Sequence, residues 1–579
     1  MDFCIPHVWR KFLPVAALTM LAGVVDMSAQ NLETIGKAKP LSMSGGISLN
    51  QIFYAAQNID NRRDPYSYFV SGNVNFSLYG WNVPLSFTVS NQNTTFQQPF
   101  NQYSLHPTYK WITAHAGYIS SSYSPYTVNG HIFLGGAVDL APAGSWKFSA
   151  LYGRFLKAVE QDTARVNTSS PAFKRMGYGF KTGYDKNGNS IELILFHAQD
   201  QVNSIQSLPD SLVIFPQENL VISLGAGKTF FENFLLKAEL SSSAITRDVR
   251  ADREDNGNAL AHAGFLFSPR TSSAYYKAFK SSFDYRHDGF TVGFAYERID
   301  PGYRTLGAYF FNNDLENITA NGTVDLLEGK LTVAASAGTQ HDNLDQEKIS
   351  TMRRLVGSLN MNYTPTEKLN LSLSYSNFQT YTNIRSTFVN INQLTPYDNL
   401  DTLNYTQIAQ NASANCLYTL GGPKERRRSI NLNITFQNAA DKQGGNNRGG
   451  SQFYNFNSGY SLGLVPKNLT FSFMLNGNIN RSPALNTFTV GPTASVSKML
   501  MEKKLRIMVS SSYNTAYSNG EHNASLLNGR VSGTYTVKKK HNLNLSMAMI
   551  NRASQAATSA KTFTEFTGTL GYSYAFAIN

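Results

Sequence analysis

The stretches VSGNVNFSL (residues 70–78) and VPLSFTV (residues 83–89) carry the pattern that decides the fold. In both, an apolar residue or glycine occupies every second position, and Asn, Ser, Thr or Pro stands between. Successive side chains of a β-strand point to opposite faces of a sheet, so each stretch is predicted to be a strand with one apolar and one neutral polar face. A short turn containing Gly80 joins the two strands.

The same arrangement of two alternating stretches around a short turn recurs along the chain. Clear examples surround residues 364–368, 465–468 and 538–542. The regular stretches run for about nine to eleven residues, the length that a tilted strand needs to cross a bilayer, whereas strands of soluble proteins are usually about 5–6 residues long. A polar face of amides and hydroxyls suits a water-lined interior. The pattern favours a transmembrane β-barrel over a secreted β-helix, which would show a fixed repeat period.

Composition excludes the other broad classes of protein. Charged residues make up 15% of the 579 residues, against about 25% in a typical soluble protein. The 31 Tyr and 37 Phe are too many for a disordered chain. A polytopic helical membrane protein needs several apolar runs of about 20 residues each, and the only long apolar run here is at the start of the chain. One large repetitive architecture is therefore expected.

The first 29 residues are predicted to be a secretory signal peptide. Arg10 and Lys11 precede an apolar stretch over residues 12–25, and cleavage is expected after Ala29. An uncleaved membrane anchor is the alternative, but the apolar run is short for a membrane span. The mature chain would then be residues 30–579.

Twelve short turns determine the expected number of strands. Two strands lie between successive turns, one strand (residues 41–55) precedes the first turn, and one (residues 563–576) follows the last. The expected fold is all-β, a single antiparallel transmembrane barrel of about 26 strands with an error of about two. The turns are predicted near residues 79–82, 106–109, 141–144, 184–188, 228–233, 285–289, 327–330, 364–368, 421–426, 465–468, 499–504 and 537–542.

The chain resembles the outer-membrane β-barrel proteins of Gram-negative bacteria over its mature length. The final run GTLGYSYAF (residues 568–576) resembles the aromatic-ending last strand that the barrel assembly machinery recognises, although three residues follow it, and the SAQ at residues 28–30 resembles signal peptides of Bacteroidota. The resemblance implies insertion by that machinery, contact with outer-membrane lipid and a place in the outer membrane. Residues 30–40 leave no room for a plug domain or a periplasmic domain, so a bare barrel is expected.

No residue is predicted to be catalytic, to bind a cofactor or to hold a metal. His522 and Ser525 resemble part of the site of the outer-membrane phospholipase, but residues three apart on a regular strand face opposite sides, so they are not expected to pair. His287 falls in a predicted turn. His106 and His115 have no Cys, His or acidic companion at metal-ligand spacing. The chain is therefore not expected to be an enzyme.

Four other features have structural and functional interpretations. The mixed-charge residues 247–255 form either a solvated loop or a selective ring inside the barrel. The apolar residues of 388–391 could pack into the barrel mouth or dock a partner. The basic runs 426–428 and 538–540, at predicted periplasmic turns, either flank the membrane or contact an acidic periplasmic partner, since nucleic acid is implausible in that compartment. Cys416 is expected to face lipid.

The size of the barrel leads to the functional hypotheses. Neighbouring strands lie about 4.8 Å apart and tilt by roughly 40°, so 26 strands give a diameter near 50 Å. Inward residues such as Asn73, Ser86 and Asn478 are too short to fill that space, and the long loops 247–271 and 379–401 could cover only part of the mouth. The first hypothesis is a channel or translocon component for a large substrate, protein or glycan, that is plugged or capped by a separate partner. The second is a structural or assembly barrel that docks periplasmic or cell-surface subunits without conducting.

Overall fold

The alternating stretches pair side by side into a closed antiparallel barrel of 26 strands, which confirms the predicted fold class and strand number. Each strand pairs with its neighbours in the chain, and the first pairs with the last from Met43↔Ile578 to Gln57↔Thr564. No helix in the described part of the chain is long and apolar enough to cross a membrane. This computed structural model describes residues 41–91, 101–160, 171–205, 214–254, 266–348, 351, 353–378, 380–382, 406–439, 441–443, 446–448, 450–482, 485–555 and 562–578. The predicted signal peptide and residues 388–391 lie outside these ranges.

The barrel strands are numbered β1 to β26 in chain order. The bounds are β1 Leu41–Gln57, β2 Tyr66–Leu78, β3 Trp81–Ser90, β4 Gln102–Leu105 with Thr108–Tyr109, β5 Ile112–Ser122, β6 Val128–Leu140, β7 Trp146–Leu156, β8 Lys174–Lys186, β9 Asn189–Gln201, β10 Glu218–Phe230, β11 Phe234–Thr246, β12 Ser273–His287 and β13 Phe290–Ile299. They continue as β14 Leu315–Leu326, β15 Leu331–His341, β16 Arg353–Thr366, β17 Leu369–Ser376, β18 Thr406–Leu420, β19 Arg426–Ala439, β20 Gln452–Leu464, β21 Leu469–Arg481, β22 Asn486–Leu500, β23 Leu505–Ser518, β24 Glu521–Val537, β25 His541–Ser554 and β26 Phe563–Ile578. Outside this set are the short strands Gly307–Ala308 and Thr380–Thr382 and the hairpin of Asp441–Gln443 with Asn446–Arg448.

The twelve short turns all lie at one end of the barrel, called here the short-turn end; the opposite end is the long-loop end. Two of them are two-residue turns with positive φ at both positions, Tyr79 (45°) with Gly80 (89°) and Asn187 (53°) with Gly188 (75°), the geometry that matches the twist of a hairpin. One of the predicted turns lies at a different position in the structure. The turn expected at residues 106–109 lies at Lys110 and Trp111, because Pro107 interrupts β4 without ending it.

The two faces of the barrel differ as the alternation predicts. Large apolar side chains such as Leu224 (53% exposed), Phe294 (64%) and Leu355 (76%) cover the outer face. Such a surface is unfavourable in water and stable in the hydrocarbon of a bilayer. Aromatic pairs border it at the short-turn end, among them Trp146 and Tyr184 with ring centroids 5.1 Å apart. The strand lengths and this belt together describe a membrane-spanning barrel.

Candidate functional site

The inner wall of β15–β26 is the sector that the sequence predicted best. Its side chains are mainly Asn, Ser and Thr, and they form hydrogen bonds between adjacent strands. Asn476 Nδ2 donates to Thr493 Oγ1 over 2.9 Å, and Asn528 Nδ2 donates to Ser512 Oγ over 2.9 Å. Beyond the junction of β26 with β1, Ser86 Oγ of β3 donates to Asn73 Oδ1 of β2 over 2.6 Å. These bonds hold short neutral groups against the wall, and inward arginines bond to groups of the same kind, as Arg354 does to Gln340, Arg506 to Ser497 and Arg530 to Ser546.

The inner wall of β5–β10 is different, and here the expectation of a uniformly short polar lining was wrong. Phe133 and Phe155 stack with ring centroids 4.9 Å apart, and Phe155 contacts Phe196 edge-on at 5.4 Å. Phe133 alternates with the outward Leu134 and shares its face with Asp139, so the cluster lies inside the barrel. Apolar residues on a lumen face are stable only if something covers them. The buried members of the cluster are Ile119, Val128, Phe133, Leu151, Phe155, Phe196, Ala198, Val221 and Leu306.

The cover is a segment of the chain itself. Residues 300–314, between β13 and β14, turn inward at the long-loop end and are called here the lumenal segment. Its first turn has Pro301 followed by Gly302 at φ +79°, and the Tyr303 N–H donates to Asp300 O over 3.1 Å, the features of a type II turn. Leu306, 2% exposed, packs into the apolar cluster. Tyr303 is fully buried in a second cluster with Tyr126.

Hydrogen bonds fix the lumenal segment to three different strands. Leu306 N–H donates to Asn219 Oδ1 of β10 over 3.0 Å, and Ser243 Oγ of β11 donates to Arg304 O over 2.7 Å. Gly307 and Ala308 pair in parallel with the start of β6. Because these partners are buried, each bond also satisfies a polar group that would otherwise be costly to bury.

A second, shorter inward loop supports the first. Residues 123–127, between β5 and β6, reach β8, β11 and β13: Lys181 Nζ donates to Tyr123 O over 3.3 Å, Ser124 Oγ donates to Glu239, and Tyr126 OH donates to Glu297 Oε1 over 2.6 Å. This loop and the lumenal segment are joined, since Tyr303 OH donates to Tyr126 O over 2.9 Å. Burial raises the pKa of Tyr303, so this hydroxyl stays protonated as a donor. The two inward loops therefore occupy the part of the lumen that β5–β14 enclose.

The occupied part of the lumen also contains buried charges. Arg175 donates through Nε and Nη2 to the two carboxylate oxygens of Asp200 over 2.8 and 3.0 Å. The guanidinium of Arg304 lies near this pair, and its burial together with the positive charge of Arg175 lowers its pKa. The pair joins β8 to β9 on the inner wall, where Asp200 and Arg175 are directly opposite in the ladder, and separating them would leave a buried unpaired charge.

The far end of the lumenal segment is held by an ion cluster. Asp314 pairs with Lys348, which also pairs with Asp342 over 2.9 Å, and Asp314 Oδ1 accepts from the Leu344 N–H over 2.9 Å. Burial of Asp314 opposes ionisation, but the bonds from Lys348 and the backbone outweigh it, so the pKa of Asp314 lies below its ordinary value. Burial lowers and the two carboxylates raise the pKa of Lys348, with a net rise.

This cluster predicts a pH dependence. The depressed pKa of Asp314 means that its contribution is present above the ordinary value of 3.8 and is lost as pH falls through the lowered pKa. The Lys348 contribution is fully present below the ordinary pKa of 10.5 and is lost as pH rises through the raised pKa of the folded state. We therefore expect hydrogen exchange at the Leu344 amide, corrected for intrinsic rates, to stay slow at neutral pH and to accelerate below pH 3.8. An Asp314→Asn variant should lack this acid transition; the same transition in the variant would contradict the assignment.

The structure brings together two groups of residues that were not expected to interact from their spacing in the sequence. His106 Nδ1 lies 2.7 Å from His115 Nδ1, and His115 Nε2 lies 2.9 Å from Asp139 Oδ2, on the lumen wall. His522 Nε2 lies 3.2 Å from Ser525 Oγ, although they were not expected to pair. The expectation for His106 and His115 considered only residues close to each in sequence. The expectation for His522 and Ser525 assumed a regular strand. Among the described residues, no group of three His, Cys, Asp or Glu is arranged to hold a metal.

The remaining predicted features lie outside the lumen or on turns. In the mixed-charge stretch, Asp248 and Arg250 bond to each other over 2.9 and 3.0 Å. The same loop places Phe267 against Leu220 and Ala244, which alternate with inward residues, so its described part lies on the outer side of the rim. Cys416 is free and pairs in register with the outward Leu432.

Comparison with known proteins assigns no family. No protein-family profile and no curated protein matches the chain. Among solved structures, the apoprotein form of the FrpB iron transporter from Neisseria meningitidis aligns at 13% identity over 92% of this chain and 81% of that chain, with a TM-score of 0.38. OccAB2 from Acinetobacter baumannii aligns at 10% identity over 92% and 98%, with a TM-score of 0.32. The P pilus usher (PapC) translocation pore aligns at 10% identity over 93% and 99%, with a TM-score of 0.36. Likenesses this weak supply no substrate, partner or mechanism for this chain.

Proposed function

We propose that the protein is an outer-membrane channel or translocon component for a large substrate, a protein or a glycan, and that a separate partner caps or plugs it. The observation that carries the proposal is the division of the lumen. The chain's own inward loops fill the part inside β5–β14, while β15–β26 line most of the rest with short polar groups and a few arginines bonded to them, such as Arg506 and Arg530. A wall of amides and hydroxyls binds ions and sugars weakly, which suits passage.

The proposal of a partner rests on the charge of the short-turn end, which is periplasmic in barrels of this kind. Within the turn bounds given above, with residues 110–111 for the displaced turn, the four consecutive turns from β18–β19 to β24–β25 carry eight Lys or Arg and two Glu; this set is called the basic collar. The other eight turns carry six basic and five acidic residues. A collar confined to one sector attracts an acidic surface from the periplasm. Its basic members are Lys424, Arg426, Lys467, Lys503, Lys504, Lys538, Lys539 and Lys540.

Neutralising the collar tests the partner. We expect Lys538→Gln, Lys539→Gln and Lys540→Gln together to reduce what co-purifies with the barrel from its native membrane in mild detergent, because electrostatic attraction to the partner is weakened. The matched control is Lys186→Gln, Lys330→Gln and Lys368→Gln, three lysines on the balanced turns. If both triple variants retain the same proteins and differ only in bound anionic lipid, the collar contacts headgroups and this part of the proposal is wrong.

Conductance separates the proposed function from its alternative, a structural or assembly barrel that docks subunits without conducting. The full chain purified alone and the same chain purified from its native membrane are compared in planar bilayers. We expect the barrel alone to conduct and the native preparation to conduct less, since its partner caps the lumen. A barrel that stays closed in both preparations would favour the structural role.

A further inference from the structure

A chain of hydrogen bonds joins Ser525, His522 and Gln555 at the long-loop end of β23–β25. Ser525 Oγ lies 3.2 Å from His522 Nε2, and His522 Nδ1 lies 2.7 Å from Gln555 Oε1. The pairing of β23 with β24 shifts from Ala516↔Ala524 to Tyr517↔His522, so one residue of β24 bulges out. A bulge re-aims the side chains beside it, which explains how residues three apart come to share a face.

The donor and acceptor roles in these hydrogen bonds leave His522 able to accept the proton of Ser525. A carbonyl oxygen only accepts, so Gln555 Oε1 fixes the proton of His522 on Nδ1 and leaves Nε2 as a proton acceptor. Tyr513 OH donates to Ser525 Oγ over 3.1 Å, which leaves the serine hydroxyl proton directed at His522. A nucleophile, a base and a group that orients the base are three of the parts of a serine hydrolase site, whatever the fold.

The site lies on the outer face of the barrel. Ser525 shares its face with Leu527, which is 41% exposed, and faces Tyr513, which is 51% exposed. The His522 ring lies 5.5 Å from that of Tyr517, which neighbours the outward Phe488. These apolar surfaces contact lipid chains and not the water of the lumen.

The depth of the site selects the substrate class. β24 ends at Val537 at the short-turn end, and a tilted strand crosses the hydrocarbon in about 9–11 residues. Counting back from Val537, Ser525 lies just beyond that length, at the boundary between acyl chains and headgroups. The ester bonds of glycerolipids lie at this level. We propose that Ser525, His522 and Gln555 form an acyl-ester hydrolase site for lipids of the outer leaflet, independent of passage through the lumen.

The reaction uses only the lipid and water. Ser525 Oγ bonds to the ester carbonyl carbon as its proton moves to His522 Nε2. The bond from that carbon to the alkoxy oxygen breaks, and His522 returns the proton to the leaving lysolipid. Water then adds to the acyl-serine with the same proton path, which releases the fatty acid and restores Ser525. Gln555 is a positioning residue that holds the imidazole.

The test uses the full chain in vesicles of diacylphosphatidylethanolamine, with release of fatty acid as the measurement. We expect hydrolysis by the unmodified protein and a loss of roughly a thousandfold or more in Ser525→Ala and His522→Ala. A fluorophosphonate probe should label Ser525, identified by mass spectrometry. Gln555→Glu should keep measurable activity and move the acid limb of the pH–rate profile to higher pH, because a carboxylate stabilises the imidazolium.

Ser511→Ala is the matched control, since Ser511 lies on the same outer face of β23 and bonds to the Asn528 carbonyl. Unheated electrophoresis shows whether each variant is a folded barrel. Absence of both hydrolysis and labelling in the folded unmodified protein would overturn the proposal. Equal activity in Ser525→Ala and Ser511→Ala would also overturn it. The hydrogen bonds of Ser525 would then only stabilise the bulge in β24.

Discussion

Replacing Leu373 with arginine should prevent the barrel from inserting, whereas the same replacement at the adjacent Ser372 should be tolerated. Leu373 pairs with Met361 and Ala414 on the outer face, near the middle of β17. An arginine facing lipid at the midplane of a barrel costs about 2–4 kcal/mol, and one facing the lumen stays hydrated. Because barrel proteins fold by a single cooperative closure, that loss should appear as a large fall in the folded fraction.

The measurement is the fraction of protein that resists unfolding in unheated electrophoresis after refolding into vesicles, over a urea series. A second pair, Phe87→Arg and Ser86→Arg, repeats the contrast on β3, where Ser86 bonds to the inward Asn73. Equal losses at the outward and inward members of both pairs would show that the two faces are assigned incorrectly.

Placing a charge at Leu306 should open the occupied part of the lumen. Leu306 is buried in an apolar cluster that belongs mostly to the barrel wall, and burying an unpaired carboxylate there costs several kcal/mol. The lumenal segment belongs to a connection between strands, so Leu306→Asp should release it without preventing barrel closure. Strands β5–β14 are ten of the 26, and we expect single-channel conductance to rise by roughly 1.5-fold or more.

Phe310→Asp is the control for that variant, because Phe310 belongs to the same segment and is 43% exposed. It adds the same charge to the lumen but displaces no buried side chain, so conductance should change little. Refolded fraction and strand content are measured for both variants, which separates release of the segment from failure to fold. If the two variants have the same conductance, the segment does not restrict the lumen.

The strand number and register could be predicted because each barrel strand follows a local rule. Period-two alternation assigns the faces, as at residues 70–78, and turn chemistry marks the ends, as at Gly80 and Gly188. Both signals lie within about fifteen residues of each other. Tertiary contacts change them little, since most strands outside β5–β14 contact only their two neighbours and a lipid or water phase.

The lumenal segment was missed because what holds it is distant in sequence. Leu306 depends on Asn219 and Phe196, and nothing within residues 300–314 shows that contact. One signal was present. In β9, residues 193–196 read LILF and are apolar on both faces, which is typical of a strand covered on both sides. The cover had to come from within the barrel, and the aromatic residues between β13 and β14 were available for it.

The pairing of His522 with Ser525 could not be predicted for a different reason. It depends on one extra residue in the β23–β24 ladder. A bulge of one residue cannot be recognised from the alternation of apolar and polar residues in the sequence. The pair of His106 and His115 was missed because the turn was predicted at residues 106–109. With the turn at Lys110 and Trp111, the unbroken register of the hairpin places the two histidines directly opposite each other.

The seam between β1 and β26 places a constraint on the order of events during biogenesis. Residues more than five hundred positions apart pair over fifteen consecutive positions, from Met43↔Ile578 to Gln57↔Thr564. The entropic cost of bringing distant chain ends together grows slowly with their separation, by about 0.6 kcal/mol per doubling of length. The free-energy cost of two unpaired strand edges in lipid is much larger, because each unsatisfied backbone group costs several kcal/mol. A chain that lacks the sixteen residues of β26 therefore has two unpaired edges and is unstable in the bilayer. Stable insertion of this barrel must follow the synthesis of its final strand.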